Sequence, residues 1–157
     1  MSDLIFELEM VPQVFISFLL GAILGWQREI AGTEAGIRTF GSIAIGACVF
    51  GLISKHVGPL GDPGRIAAQV VSGIGFIGVG MIFREGVHVK GLTTAALLWT
   101  TASIGLAVAF EMYVISLLTT AIIFAILTLS RTRYWLSISA KSKEREREYQ
   151  QGFGDDS

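Results

Sequence analysis

The stretch Gly91–Phe110, GLTTAALLWTTASIGLAVAF, runs for 20 residues without a charge. Coiled as a helix it reaches about 30 Å, the thickness of a bilayer's hydrocarbon core. Beyond the lone charge Glu111, Met112–Ser130 repeats the pattern for 19 residues. Toward the N-terminus stand three more uncharged runs, Ile66–Phe83 (18 residues), Thr39–Ser54 (16) and Met10–Gln27 (18). The shortest, Thr39–Ser54, takes Ile37, Arg38 and Lys55 as its ends, the charged ones snorkelling. Of the 157 residues, 52% are hydrophobic and 16% charged, whereas soluble domains carry about 25% charge. Mean hydropathy is +0.61. These runs predict an all-α, polytopic transmembrane helical bundle of five spans over residues 1–130, with the lipid bilayer as its surroundings.

Basic residues resist translocation, so their placement sets orientation. With five spans, Lys55 and Arg65 fall on one side. The other ten, Arg28, Arg38, Arg84, Lys90, Arg131, Arg133, Lys141, Lys143, Arg145 and Arg147, fall on the opposite side. The expected topology is N-terminus outside and C-terminus cytoplasmic. Trp26, Tyr134 and Trp135 then lie near the cytoplasmic interface, which suits amphipathic rings. Residues 131–157 form a second segment, a charged cytoplasmic tail, helical and then disordered, with six positive and five negative side chains. No basic residue precedes Arg28, so the first span lacks the basic start of a signal peptide and is expected to stay.

Several function classes drop out. One cysteine, Cys48, makes neither an intrachain disulfide nor a multi-thiolate metal site. His56 and His88 lie in different inter-span patches, and no nucleophile–base–orienter set assembles around them. A net charge of −1 offers nothing to nucleic acid.

Nineteen glycines are concentrated in the runs, where small residues let helices approach in lipid. Ser17, Gly21, Gly25 and Arg28 share one face of the first span; Gly41, Ala44, Cys48 and Gly51 share one face of the second. In the third, Gly73 and Gly80 share a face, with Gly75 and Gly78 roughly opposite. That arrangement predicts a helix sandwiched at the bundle centre. The string G-x-G-x-x-G within it lies in a membrane-length run and is no dinucleotide turn. Five short helices offer more small-residue faces than one monomer buries, which predicts a homo-oligomer, a dimer, with the Ser17–Gly21–Gly25 stripe as its interface.

Two polar constellations remain. Arg65, Gln69 and Ser72 form a stripe along the third span, and Thr93, Thr94, Thr100 and Thr101 share an arc of the fourth. The threonines are expected to bond to carbonyls of their own helix. On the cytoplasmic side, Arg28, Glu29, Glu34 and Arg38 face Arg84, Glu85 and Lys90. There, Glu29 and Glu85 are the expected carboxylate partners for arginine, with Arg38–Glu85 as the specific pair.

The run Gly21 to Glu29 with its Gly25-Trp-Gln-Arg28-Glu29 ending, and the block AGIRT at Ala35–Thr39, resemble the opening of the MgtC/SapB membrane-protein family. So do RIAAQVVSGIGFIGVG at Arg65–Gly80, REG at Arg84–Gly86 and GLTTAALLW at Gly91–Trp99. The blocks occur in order across Leu20–Gly105. Matched positions are Arg28, Glu29, Arg38, Thr39, Arg65, Gln69, Ser72, Gly75, Glu85, Thr93, Thr94 and Trp99. After Gly105 the chain has Ala109, Phe110 and Glu111, where the family often has a glycine-rich turn. Without the soluble domain of longer members, it resembles a short, membrane-domain-only one.

The resemblance implies a bacterial inner-membrane protein tied to growth under magnesium limitation. In some relatives it implies survival within host cells and an effect on the F-type ATP synthase. Two functions compete: a non-enzymatic regulator binding other membrane proteins, and a magnesium or other small-ion transporter. Mg²⁺ favours octahedral oxygen coordination, in which carboxylates are the usual protein ligands. None of the 13 acidic residues lies inside the five runs, and Arg65 repels cations. No cofactor is expected, and the magnesium link carries no assigned metal ligand. The residue chemistry favours the regulator.

Overall fold

The computed structural model describes residues 2–56, 62–85 and 88–129, without the side chains of Ser2, Asp3, Phe6, Glu85 and His88. The charged tail lies outside the described residues. The five uncharged runs fold as α1 (Ser2–Ile30), α2 (Ile37–Lys55), α3 (Arg65–Gly80), α4 (Leu92–Ala109) and α5 (Tyr113–Leu129). The second helix takes in Ile37, Arg38 and Lys55, the ends its short run required. α2 and α4 are long and apolar enough to cross a membrane, while α3 and α5 are shorter apolar helices. α1 extends well before its uncharged run and carries Pro12 inside.

The third run is where sequence and structure part. Its helix stops at Gly80, and the Met81 and Ile82 amides turn back onto Gly78 and Val79 carbonyls, each at 3.1 Å. The chain then forms a short antiparallel hairpin, β1 (Phe83–Glu85) against β2 (His88–Lys90), with Arg84 opposite Val89. A purely helical chain was expected; the alternating His88-Val89-Lys90 was the overlooked sign. Gly91 carries the chain from β2 into α4 at φ +88°, where any β-carbon would run into the Met81 carbonyl. The two features together require glycine.

α1, α2 and α4 pack together at the centre, with α3 against α2 and α4 and α5 against α1 and α4. The central contacts are close because glycines make them so. A β-carbon on Gly21 would sit 2.7 Å from both the Ala44 methyl and the Phe40 carbonyl oxygen. One on Gly25 would sit 2.6 Å from Ile37 Cα, and one on Gly51 2.6 Å from the Ala109 methyl. Around these contacts Leu24, Phe40, Cys48, Leu98 and Val108 are fully enclosed. In lipid such contacts hold helices by packing, since hydrocarbon solvates leucine as well as the bundle does.

Two expectations are overturned here. The third helix is not sandwiched at the centre. Only Ile74 and Gly78 of α3 are buried. No atom of the described residues lies within 4 Å of a β-carbon built on Gly73, Gly75 or Gly80, and Gly78 makes ordinary contact with Ala95. α1, α2 and α4 already occupy the centre, leaving α3 on a flank. Nor is the Ser17–Gly21–Gly25 stripe free for a second copy, because Gly21 and Gly25 are filled by α2.

Candidate functional site

The helix ends near Arg28 gather most of the polar residues singled out from sequence. Arg28 ends α1, Arg38 and Thr39 open α2, and Thr93 and Thr94 open α4. The turn between α1 and α2 is built by Gly32 at φ +72° and by Thr33. The Thr33 hydroxyl donates to the Arg28 carbonyl at 2.8 Å, with the Ala35 carbonyl 3.3 Å away. Glu29 closes the same turn, its Oε2 accepting the Ile37 backbone N–H at 3.2 Å. A carboxylate there satisfies one of the unpaired amides at the start of α2 and faces the positive end of its dipole.

Arg28 finds a hydroxyl where a carboxylate was expected. Its Nη2 donates to Thr94 Oγ1 at 3.1 Å, joining α1 to α4 across 66 residues of sequence. Its Nε is buried and has no hydrogen-bond partner among the described residues; the buried Gln27 Oε1 is the other such atom. Arg28, Thr33, Gly91, Thr93 and Thr94 line one open cleft of about 660 Å³, closed on its apolar side by residues including Val89 and Leu127. The structure thus brings Arg28, Thr93 and Thr94 together. Glu29 is drawn away to α2, and Arg38 is exposed. The expected Arg38–Glu85 pair falls on a side chain outside the described residues.

Thr100 and Thr101 behave as self-satisfied helix residues, donating to Ala96 and Leu97 carbonyls at 2.9 and 2.8 Å. Trp99 stands half-exposed on the surface of α4, away from the cleft lining. The Arg65–Gln69–Ser72 stripe lies on the exposed side of α3. Ser72 bonds weakly to the Ala68 carbonyl at 3.4 Å. Gln69 borders a groove of about 420 Å³ between α2 and α3, alongside Ser42, Gly46, Phe50 and Gly73.

At the opposite end lies an ion pair that sequence reading missed. Lys55, closing α2, pairs with Glu111 in the α4–α5 turn. The Lys55 ammonium holds the Glu111 carboxyl below the usual carboxylate range, by hydrogen bond first and charge second. Glu111 adopts φ +63°, a left-handed conformation uncommon outside glycine. Beside it, Ser54 Oγ donates to the Pro63 carbonyl at 2.5 Å and accepts the Ala67 N–H at 3.2 Å, clamping the loop into α3. Thr33, Gln27 and Ser54 carried no sequence signal beyond their polarity inside or beside apolar runs. Among the described residues no cluster of three or more His, Cys, Asp or Glu could hold a metal.

Comparison with known proteins places this geometry in context. The MgtC family model matches residues 14–134. Protein MgtC of Salmonella typhimurium (strain LT2) is 50% identical over 95 residues, covering 60% of this chain and 41% of that protein. Protein MgtC of Brucella abortus (strain 2308) is 48% identical over 89 residues, covering 57% of this chain and 37% of that protein. The chain therefore aligns with about two-fifths of the length of these curated relatives. No solved structure matches it.

Proposed function

Because the chain belongs to the MgtC family, we propose that it is a non-enzymatic regulator acting by binding other membrane proteins during adaptation to low magnesium. In this reading it is a multi-pass protein of the bacterial inner membrane, with five spans, an outside N-terminus and a cytoplasmic C-terminus. The exposed side of α3 carries the proposal. Phe76 and Val79 there are 86% and 71% exposed, Gly73, Gly75 and Gly80 are uncovered among the described residues, and Gln69 is exposed. A carboxamide facing hydrocarbon seeks a hydrogen-bonding partner, and uncovered glycines admit a neighbouring helix at close range. A helix of another membrane protein supplies both. Self-association as a homo-oligomer, with the first-span stripe already filled, would use this same face.

The competing small-ion pathway for magnesium needs oxygen ligands along a route through the bundle. The test reconstitutes the full chain in liposomes, measures Mg²⁺ flux, and in parallel crosslinks photoreactive residues placed at Gln69 and Phe76 in growing cells. A discrete heterologous crosslink lost in Gly75→Leu, with no saturable flux, is the expected result. Saturable Mg²⁺ flux without a crosslinked partner overturns the regulator, and a crosslink to a second copy alone reassigns the face to self-association.

A further inference from the structure

From the cleft at Arg28 we infer a binding site for a phosphate group, carried either by a lipid headgroup or by a free phosphate. The inference does not rest on the choice between regulator and transporter. A half-buried guanidinium has five N–H donors and no acceptor. Here one is spent on Thr94, and the buried Nε has no partner among the described residues. The described ion pair is elsewhere, at Lys55 and Glu111, so no carboxylate among the described residues neutralises Arg28. The Nε–H is enclosed, so the donors that Arg28 offers to the cleft are the remaining N–H groups of its two terminal nitrogens.

The remaining lining has the same polarity. The Thr94 hydroxyl accepts from Arg28 and keeps its own proton to donate. The Thr93 hydroxyl is a second donor lining the cleft. The α4 start has no side-chain cap, so its first amides add donors on the same side. Among the described residues no acidic side chain lines the cleft. Two hydroxyls and the helix amides around one cationic fork suit a tetrahedral oxyanion that accepts several hydrogen bonds together. They disfavour a divalent cation. Val89, Leu92, Ile126 and Leu127 on the other wall suit the first carbons of a lipid glycerol, which a free phosphate leaves uncovered.

The full chain, purified in uncharged detergent, is titrated with inorganic phosphate and, separately, with short-chain phosphatidylglycerol, following thermal stability and binding by calorimetry. Saturable binding by at least one probe is expected. Arg28→Gln should weaken it tenfold or more and Thr93→Ala several-fold, while Lys55→Gln at the far end leaves it unchanged. Thr93 is exposed, so its variant remains informative if Arg28→Gln fails to fold. Binding of inorganic phosphate assigns the site to a free anion; binding of phosphatidylglycerol alone assigns it to a lipid headgroup. Absence of saturable binding by both probes, or equal binding by wild type, Arg28→Gln and Thr93→Ala, overturns the site.

Discussion

Glu29 reaches forward from the last turn of α1 to accept the Ile37 amide, so one helix supplies the N-terminal cap of the next. The carboxylate also packs against Gly36, where a β-carbon would lie 2.7 Å from Oε2. Removal of a capping acceptor costs about 0.5–2 kcal/mol. Glu29→Ala should therefore destabilise the protein by about that amount, and Glu29→Gln, which keeps an acceptor oxygen, by less. Denaturant unfolding in detergent measures both. Equal stability of Glu29→Ala and wild type would remove the capping role.

Glycine substitutions should divide by location. Gly21→Leu or Gly25→Leu drives a side chain into the backbone of α2 and should abolish accumulation of folded protein. Gly75→Leu, with open space at its β-position, should fold normally and change only what binds α3. Accumulation in cells and thermal stability after purification distinguish the two groups.

Gly91→Ala should be among the most damaging small substitutions. It combines a left-handed backbone with a β-carbon that meets the Met81 carbonyl, and left-handed strain alone costs about 1 kcal/mol. A melting temperature indistinguishable from wild type would contradict the hairpin–α4 junction.

The Lys55–Glu111 pair sets an acid-side dependence. The Glu111 carboxyl is held below its ordinary value in the folded chain, so the pair stabilises above the ordinary carboxylate range. That contribution is lost as pH falls through the lowered folded value. Wild type and Glu111→Gln should melt apart at neutral pH and converge once the pH has fallen through the lowered folded value. Because Glu111 is exposed, the separation should be small and shrink with added salt.

Topology is tested by reporter fusions after Ser157 and between residues 58 and 61. The bias of ten basic residues to two predicts opposite compartments. Agreement between the two reporters would exclude a five-span arrangement.

The helices were largely legible because charge bounds them. Arg38 and Lys55 bracket α2, and Glu111 separates α4 from α5. What could not be read was which neighbour each face meets. The glycines of α1 and α3 look alike in sequence, yet Gly21 and Gly25 are filled by α2 while Gly73 and Gly75 are bare. Spacing states that a helix can be approached and leaves the approaching partner open. Arg28 illustrates the same limit. Its need for a partner was legible, but the acidic residue beside it was committed to a local cap, and the hydroxyl it found lies 66 residues away. The hairpin escaped because strands of three residues fall below the length at which alternation is readable.

The shortness of α3 bears on the lipid as much as on the protein. Sixteen residues rise about 24 Å, several ångströms less than the hydrocarbon they would cross. The hairpin fixed to its end by Gly91 prevents the helix from lengthening by another turn. In the proposed five-span arrangement the bilayer on that flank would pinch inward or the hairpin would settle among the headgroups, at a fraction of a kcal/mol per ångström. Opposite edges of one molecule would then prefer different lipid lengths. Membranes of shorter acyl chains would relieve α3, and thicker ones would press on it, so acyl-chain composition becomes a variable to which the exposed helix responds before any protein touches it.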